Sequence, residues 1–282
     1  MSAGSWRRPL LALCGSDDPV PAVFPEPVPS ALRMLSAGQQ RIAAAIFAHL
    51  ACSAADVMTR VEAQRERLRR GGQRRSDDIE TLTALVRLLL EQPLDDAVAV
   101  ADIQRAYLCL RHCHWWPTGP EDLPLAALLV AGSSGCDQAI NQIEALHLAL
   151  SEGDEVPGDP CALVALGGGV PEPSAVQVLE RLGALRTELL LSGIAVQEDD
   201  LAVLPALASM ALEPAMVMQE YIAARKLATG PTLIPPSSLV IGLAADSVVL
   251  RHLAGKDRKR FIAALVIRAW MDHRQQSPHP PS

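Results

Sequence analysis

The chain has 282 residues, 49% of them apolar, enough for one large domain or two smaller ones with a substantial core. Its formal charge of −7 and isoelectric point near 5.5 exclude the basic field that general nucleic-acid or anionic-membrane binding requires. Aromatics make up only 3% while Leu and Ala dominate, which favours helices over strands and predicts an all-α fold.

In chain order, the opening "MSAGSWRRPLLALCGSDD" imitates an export signal with paired arginines and a short apolar run. The run Pro9 to Leu13 is too short for a signal core, and bulky Leu13 stands where a small residue should precede the cleavage site. Six cysteines, at 14, 52, 109, 113, 136 and 161, are too sparse for a disulfide framework, so reduced thiols and a cytoplasmic location are expected. Residues 1–36, with "DDPVPAVFPEPVPS", read as a proline-rich, partly disordered lead-in, and 276–282 as a disordered tail. Between them, 37–275 reads as a single helical-repeat domain. Its longest apolar stretch, "LAVLPALASMAL", stops at Glu213, short of the ~18 residues of a membrane span.

Within 37–275 a short apolar pattern recurs: Ile42 to Ala45, Leu82 to Leu85, Leu125 to Leu128, Leu163 to Leu166 and Leu204 to Leu207. The spacing is about forty residues, that of two-helix solenoid units. Each unit has a compact first helix bearing this pattern and a longer, amphipathic second helix. The second helices are "SAADVMTRVEAQRERLRR", "DDAVAVADIQRAYLCLRHC", "CDQAINQIEALHLALSE", "SAVQVLERLGALRTELLLSG" and "AMVMQEYIAARKLATG". Ser53, Asp95 and Ser174 stand where N-caps belong; Gly71, Gly193 and Gly230 stand where helices should end. The glycines of "GGG" (167–169) and Pro205 interrupt first helices that other units keep intact. A last unit runs from "PPSSLVIGLAADSVVLRHLAG" into "RKRFIAALVIRAWMDHRQQ", whose helix is apolar on much of its circumference and is expected to cap the array or dock on another chain. The expected fold is an α-α superhelix of about five to six helix pairs with a C-terminal capping helix.

This spacing resembles α-solenoids in general, without the signatures of tetratricopeptide or ankyrin repeats. From about residue 37 to 254 it also resembles a bacterial family of uncharacterised helical proteins known only as a domain of unknown function. Both resemblances rest on apolar motifs and imply a fold, not an activity.

The densest chemistry lies in "CLRHCHWW", residues 109–116. Cys109, His112 and Cys113 share a helix face with the soft ligands zinc prefers, but no second CxxC or HxxxH hook accompanies them. Val100, Ile103, Tyr107 and Leu110 define a buried stripe that Cys113 and His114 continue, so packing is the preferred reading. Trp115 and Trp116 end the helix, where they cover a turn or anchor a partner. "ALGGGVPEP" lacks the strand and Lys-Ser/Thr of a phosphate loop and reads as a helix end. Asp77-Asp78, Asp95-Asp96 and Asp199-Asp200 lack a DDxxD spacing and read as helix starts. From Arg60 to Arg75, seven arginines against two glutamates form a local +5, read as a solvated basic face without the interleaved aromatics of a nucleic-acid groove.

These readings point to a non-enzymatic scaffold or adaptor for a protein or peptide partner, with no cofactor, no catalytic residue, no nucleic acid and no membrane. The alternative is a helical enzyme or small-ligand or metal sensor with a pocket near Cys109, Cys113 and Trp115. Oligomeric state is left open.

Overall fold

The structure is a computed structural model. It describes residues 54–72, 75–91, 97–112, 119, 122–131, 175–208, 210, 212–229 and 238–276, with scattered positions between 137 and 148. The helices are α1 (Ala54–Arg70), α2 (Asp77–Leu89), α3 (Ala97–His112), α4 (Leu123–Val130), α5 (Ala175–Leu191), α6 (Glu198–Ala202), α7 (Leu204–Ala208), α8 (Pro214–Thr229), α9 (Ser238–His252) and α10 (Gly255–Gln276). There is no strand among the described residues, so the fold is all-α as the composition requires. No described helix is long and apolar enough to cross a membrane.

The described residues form two compact units, one from 54–140 with 259–276, the other from 141–258. In the first, α2 packs on α1 and α4, and α4 packs on α3. Helix α2 is buried on every side from Ile79 to Leu89, which strands polar side chains in the interior. Two of these are threonines whose hydroxyls turn back on their own helix, Thr81 to Asp77 O at 2.6 Å and Thr83 to Ile79 O at 2.7 Å. Helix α4, "LPLAALLV", is buried from Leu123 to Leu129 and takes Pro124 in its first turn, where a missing N–H costs nothing. Each leucine so buried contributes about 1.5–3 kcal/mol. The stripe Val100, Ile103, Tyr107 and Leu110 of α3 is buried as its periodicity predicts. Helix α10 joins this unit from Lys259, whose ammonium meets Glu91 just beyond α2, and it buries Arg260 to Ala264, Val266 and Ile267.

In the second unit α5 packs on α7 and α8, and α9 packs on α6, α7 and α8. Leu182, Leu185 and Leu189 form the buried side of α5. The relative sense of α5 and α8 follows from two anchors. Arg181 Nε donates to Ala208 O at 3.0 Å and its Nη2 to Leu212 O, both just before α8. Arg225, near the end of α8, donates to Ala195 O beyond the end of α5 at 3.0 Å. Starts lie with starts and ends with ends, so the two helices run parallel.

Three of the five recurrent apolar patterns fall among described residues, on α2, α4 and α7, and their leucines are all buried. Pro205 does not abolish its helix; it divides it, with α6 ending before Val203 and α7 starting with Pro205 in its first turn. Gly193 takes the left-handed conformation predicted for a helix end (φ 71°). At the end of α1 the roles differ from expectation. Gly72, not Gly71, is left-handed (φ 79°), while a Cβ on Gly71 would lie 2.6 Å from Val100 Cγ1, so that glycine serves the close approach of α3. The patterns at 42 and 163, the caps Ser53, Asp95 and Ser174, Gly230, the triple glycine, the lead-in and residues 277–282 lie outside the described residues.

Candidate functional site

Of the "CLRHCHWW" residues, Cys109 is described in full: a half-buried side chain on α3, beside rather than on the buried stripe. His112 is the last residue of α3, with only its backbone described. Cys113, Trp115 and Trp116 lie outside the described residues. Among the described residues no group of three or more His, Cys, Asp or Glu is arranged to hold a metal ion.

Among the described residues two buried clusters of titratable groups stand out, neither of which the sequence pattern announced. In the first, Arg65 and Arg69, one turn apart on α1, face the acidic start of α2. Asp77 Oδ1 accepts from Arg65 Nη2 at 2.6 Å and Arg69 Nη2 at 2.8 Å. Glu80 is 0% exposed; it accepts from Arg69 Nε at 2.7 Å and the Arg75 backbone N–H at 2.9 Å, with Arg65 Nε at 3.6 Å. At Arg69 desolvation opposes the charge, but the Glu80 hydrogen bond and the charges of Glu80, Asp77 and Glu66 prevail and raise its pKa. Arg75 lies over the Tyr107 ring at 5.1 Å. Two turns further along α2, buried Arg87 donates to buried Gln64. The arginine run is therefore not a simple solvated face. Its i, i+4 members Arg65 and Arg69 are neutralised by α2, because a carboxylate sequestered in this core must be met by a cation.

The second cluster lies in the 141–258 unit. Asp200, 0% exposed, closes a capping box at the start of α6, accepting from the Gln197 N–H at 2.8 Å. It also accepts from Tyr221 Oη at 2.6 Å and Arg225 Nη2 at 2.9 Å, both from α8. Burial, and then the hydrogen bond to Asp200, push the Tyr221 hydroxyl pKa far above its ordinary value. Every strong acceptor here is engaged within the chain, so both clusters read as devices that lock helices together. Asp77-Asp78 and Asp199-Asp200 do stand at helix starts, as the sequence predicted, but Asp200 does more than complement a dipole.

Beside the exposed charges, several large apolar side chains also remain accessible. The large hydrophobic side chains exposed among the described residues are Val98 and Leu108 on α3, Leu148, Leu190 and Leu191 on α5, and Met216 and Leu227 on α8. All lie on segments that the sequence reads as second helices; among the described residues α2, α4, α7 and α9 contribute none. Since α5 and α8 run parallel, Leu190, Leu191 and Leu227 stand at the same ends of two neighbouring helices. Sequence periodicity located the buried stripes but could not identify this feature, because a lone apolar residue on a polar face carries no pattern.

No protein-family model matches the chain, and neither a curated protein nor a solved structure shows significant similarity to it.

Proposed function

We propose that the chain is a non-enzymatic helical-repeat scaffold or adaptor of the α-solenoid kind, built from about five to six helix pairs, that binds a protein or peptide partner in the cytoplasm. The reading rests on one observation: among the described residues, α2, α4 and α7 are consumed by the core, while the exposed large apolar side chains lie on α3, α5 and α8 and at Leu148. In a stack of helix pairs the second helices form a continuous outer row, and apolar side chains kept in water along such a row mark an interaction surface. Parallel α5 and α8 are what neighbouring units of such a stack provide.

The test combines two measurements. Native mass spectrometry of protein purified without chelator is expected to give the bare chain mass or its multiples; a retained metal or metabolite would overturn the reading. A photo-crosslinking residue at Leu108, on α3, is expected to capture a specific protein in the source cell, with no such adduct from Lys256 on α10. Equal labelling at both positions would remove the basis for assigning the second-helix surface.

A further inference from the structure

We draw no further inference here: the strongest candidate, the exposed apolar surface patch of Leu190 and Leu191 at the end of α5 and Leu227 near the end of α8, carries nothing because nothing in the structure shows what covers it.

Discussion

Glu80 and Asp200 are both fully buried carboxylates answered by arginine, yet they are sealed to different degrees. The Glu80 cluster keeps an open side: Arg69 is 36% exposed at its side chain and Asp77 is half exposed. The Asp200 cluster has none, since Arg225 is only 8% exposed and Tyr221 not at all. The two also differ in wiring. Glu80 ties α2 to the helix just before it, whereas Asp200 ties a short first helix to α8 while capping its own helix. A carboxylate with water-accessible partners tolerates the loss of one, because the stranded charge rehydrates. A sealed carboxylate does not, because its loss leaves a buried cation and an orphaned hydroxyl.

That contrast orders the expected effects. Asp200→Asn should be the most damaging, at about 3–5 kcal/mol, because it strands Arg225 and weakens the α6 cap. Hydrogen exchange should show protection lost first in peptides of α6 and α8; unchanged protection there would refute the sealed-cluster account. Glu80→Gln should cost less, about 2–3 kcal/mol, since Arg69 can turn to water and Arg65 keeps Asp77. Its protection losses are expected in α1 and α2. A loss as large as that of Asp200→Asn would erase the distinction.

Tyr221→Phe should cost about 1–2 kcal/mol, the worth of a hydrogen bond to a charged acceptor plus the acceptor site left open. It also carries a pH signature. The Tyr221 hydroxyl holds its proton more tightly folded than unfolded, so its contribution is complete below about pH 10, the ordinary tyrosine value. Above about pH 10 the unfolded chain ionises while the folded one does not, and stability falls by about 1.4 kcal/mol per pH unit. The difference in stability between wild type and Tyr221→Phe should therefore narrow from pH 10 to 11; a constant difference would mean that Tyr221 titrates normally. The smallest effect belongs to Asp77→Asn, below about 1 kcal/mol and fading in high salt, because half-exposed charges are screened. Urea midpoints at low and high salt measure it.

The sequence was most legible where burial repeats. The apolar patterns at 82, 125 and 204 fall on buried helices, and the stripes of α3 and α5 lie where a 3.6-residue period places them. Gly193 ends a helix as predicted, while at Gly71 and Gly72 two adjacent glycines exchanged roles, because which one must admit Val100 depends on a helix about thirty residues away. The arginine run was visible but its meaning was not. A local count of +5 cannot tell that Arg65 and Arg69 are spent on Glu80 and Asp77, since charge patterning records composition along the chain and not the face a neighbouring helix covers. The Asp200, Tyr221 and Arg225 cluster had no local signal: its members are ordinary helix residues that become a unit only when α6 meets α8.

The sequence by itself determined that the described residues are helical, and which stripes must leave water. Hydrophobic periodicity suffices for that, being a property of each helix alone. Only the tertiary structure decided which charges are spent inside the chain, which glycines have internal reasons, and which apolar side chains remain in water. Those outcomes depend on distances between residues far apart in sequence, and the free energy of a buried charge or a close approach exists only once the partner helix is in place.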